Sequence, residues 1–524
     1  MTSKLIKQLC LIFFISLFLG CKSEKNYSSK NPNIIIIYTD DLGYGDVSAY
    51  NKGTLNTPNI DKLANEGIRF NNGYASSATC SPSRYALLTG TYPWRKSGLR
   101  VITGGSLAID TTEMTIPKVL KTQGYHTGIV GKWHLGLGSG DGVAGSGIID
   151  YNSYISPGPN QVGFDYSYIM PDTQDRVPTV YIENGNVVNL DSDDPIEVNF
   201  FHQNKHDDYG LPTGLKNPEL TTMKWHHGHN GSIVNGVPRI GYMKGGEKAL
   251  WSDIDMADHF LIKAQEYIKE NKDNPFFLFY TLQQPHVPRT PHPRFEGLSG
   301  MGPRGDVIIE ADWCIGELYK TLETEGILEN TLIIFSSDNG PVLNDGYYDD
   351  AVEKLGDHTP SGGLRGGKYS LFEAGTKVPF ITYWKGKINP GISDELISQI
   401  DLFNSISKIA GAEYKSKDGL DFSNLILNNK GNGREELILE ASTRTAYRKG
   451  DWVMIPPYKG PEISKYVNIE LGNSMDFKLY NLKDDPSQKV DLSKKEPEKL
   501  REMITSFVEI RGRNFSNIEN LVLD

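Results

Sequence analysis

Cysteine is scarce in this chain of 524 residues, with four in all. Cys10 falls in the N-terminal leader and Cys21 directly after it, which leaves only Cys80 and Cys314. That excludes a disulfide-built scaffold and leaves one conceivable bridge, Cys80–Cys314, against which the motif around Cys80 argues. Long apolar runs are missing too. Leu9 to Leu19 is too short to span a bilayer, and no later stretch is longer and equally apolar. Positive charge is in deficit: 54 Lys and Arg against 65 Asp and Glu give a net charge of −11. With no basic block or tail, nucleic acid is excluded as the natural partner. No internal repeat occurs, which excludes a solenoid. An acidic protein that acts on an anion must gather its cations locally.

What is present begins at the N-terminus. Lys4 and Lys7 precede the apolar Leu9–Leu19, the order of an export signal. Leu17-Phe18-Leu19-Gly20-Cys21 resembles a bacterial lipobox, with Phe18 where leucine is usual. Residues 1–20 are therefore read as a lipoprotein signal peptide, Cys21 as the lipidated residue and 21–31 as a polar tether. The expected location is the bacterial cell envelope, at the outer membrane or in the periplasm, held by lipid alone.

Cys80-Ser81-Pro82-Ser83-Arg84 is the most informative stretch. Ser81 suits a helix cap and Pro82 the first helical position, with Gly90 closing a short buried helix. Cys80 would then face the positive end of the helix dipole with Arg84 one turn on, an arrangement for a nucleophile meeting an anion. Cys314 lies in the amphipathic pattern Val307–Leu318 and reads as inert core.

Four β-branched or aromatic runs end in polar residues. Asn33–Thr39 leads to Asp40-Asp41, and Tyr125–Val130 to Lys132 and His134. Phe276–Tyr280 leads to His286, and Thr331–Ser336 to Asp338-Asn339. Alternation with helical segments predicts an α/β fold with a large, mostly parallel central sheet flanked by helices. In such sheets ligands bind beyond the carboxyl ends of the strands, so the four clusters predict one site. Asp40, Asp41, Asp338 and Asn339 offer hard oxygen donors, which favour Ca²⁺ or Mg²⁺ over zinc. Arg84, Lys132 and Lys368 are the cations for a tetrahedral anion, and His134 and His286 the acid–base pair. His126 falls inside a strand and reads as structural. Trp225-His226-His227-Gly228-His229 could bind a transition metal or face substrate from an insertion.

Cys-x-Pro-Ser-Arg resembles the maturation signature of the type I sulfatases, in which the cysteine is oxidised to Cα-formylglycine. Thr57–Ala64, Thr89–Pro93, Tyr447–Trp452 and Leu479–Pro486 are similar to further blocks of that alkaline-phosphatase-like family, and the resemblance covers nearly all of the mature chain. It implies a sulfuric ester hydrolase with Ca²⁺ held by Asp40, Asp41, Asp338, Asn339 and the modified Cys80. It implies that Arg84 hydrogen-bonds the formylglycine, Lys132 and Lys368 the sulfate, that His134 orients the hydrated aldehyde and that His286 protonates the leaving alcohol. One hydroxyl of the hydrate would attack sulfur, and the other would collapse to the aldehyde and eject sulfate. A formylglycine-generating enzyme is then an obligatory partner. Phosphomono- or diesterases of the same superfamily use serine or threonine with two zinc ions, a ligand set absent here. A non-catalytic glycan-binding lipoprotein would be expected to have lost a catalytic residue.

The expected catalytic domain is 32–433, and a small C-terminal α+β subdomain with an antiparallel sheet and a helix from Pro497 to Val508 occupies 434–524. Residues 136–246 show little periodicity and read as an irregular substrate-binding insertion. Tyr181, His202, His206, Trp225, His229 and Arg239 are its candidate sugar contacts. The substrate expected of an anchored bacterial sulfatase is a sulfated polysaccharide or its oligosaccharides, an algal glycan such as ulvan or carrageenan ahead of a glycosaminoglycan.

Overall fold

Three of the central strands, Asn33–Thr39, Phe276–Thr281 and Thr331–Ser337, are buried at every position because both of their faces are covered. The computed structural model describes residues 31–53, 55–140, 149–200 and 209–512. The leader, Cys21, His202 and His206 lie outside the described residues. Strand β1 (Asn33–Thr39) sends Ile34, Ile36 and Tyr38 into one core and Ile35 and Ile37 into the other, as a period of two requires. The remaining strands of the same sheet are β2 (Ile68–Tyr74), β3 (His126–Lys132), β4 (Tyr166–Met170), β5 (Ile182–Glu183), β6 (Asn186–Val187), β7 (Phe276–Thr281), β8 (Thr331–Ser337), β9 (Phe380–Tyr383) and β10 (Gly391–Ser398). Their order is β10-β2-β9-β8-β1-β7-β3-β4-β5-β6. Neighbours from β8 through β4 are all parallel, whereas β9 and β5 run against theirs.

One core lies under helices α1 (Pro58–Glu66), α4 (Met256–Asn271) and α5 (Gly302–Thr324), and Cys314 is buried in it. The other lies under α2 (Cys80–Thr89), α3 (Ile116–Lys121) and α6 (Leu402–Ile409). Each fully buried Ile or Phe contributes about 1.5–3 kcal/mol, so these strands anchor whatever is attached to their ends. Register then aligns the ends. Thr39 lies opposite Ser337, Tyr38 opposite Thr281, and Thr281 opposite Gly131. Asp40, Asp338 and Lys132 therefore emerge at one edge.

The stretch 136–246 is less irregular than its sequence implies. It supplies β4, β5 and β6 to the central sheet, and Glu197–Asn199 pairs with Tyr242–Lys244. Segments of two to five residues carry too little alternation to stand out in sequence.

Pro32–Asp524 forms one compact unit. Near its end, β11 (Glu436–Ala441), β12 (Arg444–Lys449), β13 (Trp452–Ile455) and β14 (Lys478–Asn481) make a four-stranded antiparallel sheet. Helix α7 (Pro497–Arg511) inserts Met503 and Phe507 into that sheet's core. The sheet also grips the catalytic edge: Ala78 N–H donates to Glu440 O at 2.7 Å, and Glu440 N–H to Ser76 O at 3.3 Å. Among the described residues no helix is long and apolar enough to cross a membrane.

Candidate active site

Cys80 is the first residue of α2, two positions earlier than Ser81 and Pro82 predict. Thr79, in extended conformation, occupies the cap position, and Pro82 sits inside the first turn. Ser81 does not cap. Its Oγ accepts the Ile102 N–H at 3.0 Å and so ties α2 to the chain near His134. Gly90 closes the helix at φ 62°, a conformation that favours glycine. All ten residues of α2 are buried, which fixes Cys80 rigidly.

Around Cys80 the strand ends meet in alternating charge. Arg84 donates to Asp338 Oδ2 from Nη2 at 2.8 Å and from Nε at 3.1 Å, and from Nη1 to Lys132 O at 3.1 Å. Lys132 Nζ pairs with Asp40, and Cys80 Sγ donates to Asp40 Oδ1 at 3.3 Å. Lys368 Nζ bridges Asp41 at 2.9 Å and Asp345 at 2.7 Å. All of these groups are buried. Burial, with Asp338 beside it, pushes Asp40 up to about 8 even against Lys132. Burial and the same carboxylates push the Cys80 thiol well up, so it is held as a thiol.

Among the described residues, Asn339 Oδ1 and His134 Nδ1 are buried polar atoms without a partner. Asn339 donates from Nδ2 to Asp41 Oδ1 at 2.7 Å, while its Oδ1 accepts nothing. His134, at φ 54°, donates from Nε2 to Ile102 O at 2.8 Å and leaves Nδ1 as an unpaired acceptor. Burial, with Lys132 and Arg176 near, holds the His134 imidazole neutral. His286 donates from Nδ1 to Val287 O at 2.7 Å, so the lone pair is on Nε2, 3.8 Å from Asp41 Oδ2. Burial and Lys368 pull it down to about 4. Ligand atoms of Asp40, Asp41, Cys80 and Asp338 all lie within 4.8 Å of one another. Crowded carboxylates, one of them pushed up, and an orphan amide oxygen fit a hard divalent cation.

The wall of the site holds residues that the sequence did not point to. Asp345 steadies Lys368, and burial, which would raise its carboxyl, is outweighed by Lys368 and His286. Arg176 follows β4, donating to Thr103 Oγ1 at 3.0 Å and Asp175 Oδ1 at 2.7 Å. The strand-end rule applied to Tyr166–Met170 would have found this loop. His229 Nε2 lies 2.8 Å from Asp175 Oδ2 and so belongs to this wall.

The other predicted contacts lie elsewhere. Arg239 is fully buried and donates to Asp253, Gln174 O and Val234 O, so it props the wall from behind. Tyr181 stacks on His259 at 4.4 Å within the helix-covered core. Trp225 is half-buried, paired with Tyr347 and packed near Val237 and Val287. Among the described residues, the groups able to hold a metal do not include His226, His227 or His229, so the transition-metal reading of that cluster gains no support. Cys80 and Cys314 are both free. His126 is exposed at the start of β3, beside Asn271.

A buried cluster of paired carboxylates and cations at the end of a mixed sheet has close counterparts among known proteins. Residues 32–412 match the sulfatase family. An N-acetylgalactosamine-6-O-sulfatase of Bacteroides thetaiotaomicron is 46% identical over 508 residues, covering 95% of this chain and 98% of that protein. Human arylsulfatase A is 32% identical over 420 residues, 79% of this chain and 71% of its own length. A solved Bacteroides thetaiotaomicron structure from work on the metabolism of multiple glycosaminoglycans superposes with a TM-score of 0.89 at 46% identity, covering 93% of this chain and all of that one. With the family match spanning most of the chain and a relative 46% identical over nearly all of both chains, this protein belongs to the sulfatase family and is a hydrolase of sulfate esters.

Proposed function

We propose that this sulfatase removes the 6-O-sulfate of N-acetylgalactosamine in glycosaminoglycan-type saccharides. The 46% identity to an N-acetylgalactosamine-6-O-sulfatase across almost the whole of both chains carries this reading. It shifts the preference away from the algal glycans, ulvan and carrageenan, toward a glycosaminoglycan. The protein works, on this reading, as an exported lipoprotein anchored through Cys21.

Cys80 is converted to formylglycine by a maturation enzyme, and one Ca²⁺ is held by Asp40, Asp41, Asp338, Asn339 and the modified residue 80. Two observations support this: a thiol held protonated is a poor nucleophile, and the Asn339 Oδ1 is an acceptor without a donor. Residue 80, as the aldehyde hydrate, would supply the nucleophilic hydroxyl, and a bound Ca²⁺ would supply charge neutralisation. The remaining work belongs to side chains. Arg84, Lys132 and Lys368 surround the sulfate oxygens and hold the anion in line. His134 accepts a hydrogen bond at Nδ1 from a hydroxyl on residue 80 and orients it. His286, its tautomer fixed by Val287 O, presents Nε2 to the leaving oxygen. Its lone pair there must first take up a proton, favoured when the substrate's anionic group is bound beside it, and His286 then passes that proton to the leaving oxygen.

The test is free sulfate released from a panel of sulfated mono- and oligosaccharides. The protein is co-expressed with a formylglycine-generating enzyme, with Cys80→Ala as control. Release from 6-sulfated N-acetylgalactosamine, absent in the control, supports the reading. Release only from algal oligosaccharides overturns the substrate.

A further inference from the structure

Next to Lys368 a row of four rings leads away from the site. Tyr348 and His226 lie 4.8 Å apart between centroids, His226 and His227 4.7 Å, and His227 and Tyr466 4.3 Å, the last pair stacked at 24°. The row is tied to the reaction centre at one point. Gly346 N–H donates to His226 Nε2 at 3.0 Å, and the preceding residue, Asp345, holds Lys368 at 2.7 Å. His227 also lies 6.0 Å from His229 in the wall.

Hydrogen bonding fixes the two central rings. His226 accepts at Nε2, so its proton is on Nδ1 and goes to His227 Nδ1 at 2.7 Å. His227 then carries its proton on Nε2. The pair is neutral, with the rings tilted by 44°, a hydrogen-bonding surface rather than a second cationic site. Both tyrosines at its ends are more than half exposed, Tyr348 at 58% and Tyr466 at 52%. Tyr466 belongs to the hairpin in which Ile463–Ser464 pairs with Ile469–Glu470, and the side chain of Lys465 lies 4.9 Å from its ring. Main-sheet loops and the C-terminal region thus contribute to one strip.

Two exposed tyrosines flanking half-buried imidazoles leave ring faces open to water. A pyranose presents an apolar face to such rings and hydroxyls to their N–H and O–H tips. From this placement we infer that Tyr348, His226, His227 and Tyr466 form a binding strip for the sugar next to the one that loses sulfate. Lys465 suits a carboxylate or sulfate on that neighbour. The inference rests on the sulfated-glycan reading and adds to it a preference for chain over monosaccharide.

Two measurements test it. On a 6-sulfated N-acetylgalactosamine oligosaccharide, Tyr466→Ala and Tyr348→Ala should each lower kcat/KM about tenfold, mainly through KM, the loss of one ring contact of about 1.4 kcal/mol. On the sulfated monosaccharide both variants should match the wild type, and Tyr466→Phe should match it on both. Equal losses on the two substrates, or no loss on either, overturn the strip. Retardation of the Cys80→Ala protein in gels containing chondroitin 6-sulfate needs no turnover. It should be seen there and be lost on adding Tyr466→Ala. Retardation without sulfate release by the wild type overturns the reaction reading alone, and release without retardation overturns the strip.

Discussion

Asn339 gives its amide N–H to Asp41 Oδ1 at 2.7 Å and keeps a buried Oδ1 without a partner. An orphan acceptor among crowded carboxylates costs about 1–3 kcal/mol unless something positive meets it. The first prediction follows. Calcium at a hundredfold excess over its Kd should stabilise the protein by about 2.7 kcal/mol, and a chelator should remove both that gain and activity. Asn339→Ala and Asp41→Asn should lose most of the gain in thermal unfolding. A calcium-independent melting temperature in the wild type would remove the cation from this site.

Asp345 binds Lys368 at 2.7 Å opposite Asp41, so it decides where the ammonium sits. In Asp345→Asn the charge-assisted bond weakens and Lys368 is drawn to Asp41, away from the anion. The expected loss in kcat/KM is about tenfold to a hundredfold, the worth of one such bond, with the melting temperature nearly unchanged. Steady-state kinetics on a sulfated sugar checks it, and a change below twofold would count against Asp345.

Much of this site was legible because its residues directly follow strands with strong signals. Ile34-Ile35-Ile36-Ile37 announces a doubly covered strand, and Asp40-Asp41 stand where such a strand must end. Arg176 escaped because β4 is only five residues long, so its end went unmarked. Asp345 lies in a loop, where no periodicity could single it out. Arg239 looked like a sugar contact because it is charged, yet Asp253, beyond the end of that stretch, neutralises it and permits complete burial. Partners of that kind are set by tertiary folding and leave no mark in sequence. The helix at Cys80 shows the same limit: Ser81 suggested a cap that Thr79 takes instead.

Cys80→Ser separates attack from release. A serine hydroxyl at residue 80 keeps Arg84 and the cations around it but has no second hydroxyl on the same carbon to expel sulfate. The variant should take up at most one sulfate per chain, seen by mass, and show no further turnover. Sustained multiple turnover by Cys80→Ser would sink the formylglycine mechanism.

Glu440 links pH to the strand that grips the Cys80 loop. Its backbone holds Ser76 and Ala78, while its side chain is buried with Oε2 unpartnered. Burial pushes the carboxyl from an ordinary 4.5 up to about 8, and Arg511 offsets this only in part. Between those values the folded chain keeps a proton that the unfolded chain has released. Stability from this group is therefore complete below about 4.5 and is lost as pH rises to about 8. Glu440→Gln keeps the backbone clasp and cannot ionise. Wild type should lose more melting temperature than Glu440→Gln between pH 5 and 8, the gap widening toward the alkaline end. Parallel profiles would mean that Glu440 is already ionised in the fold, with Arg511 as an adequate counter-charge.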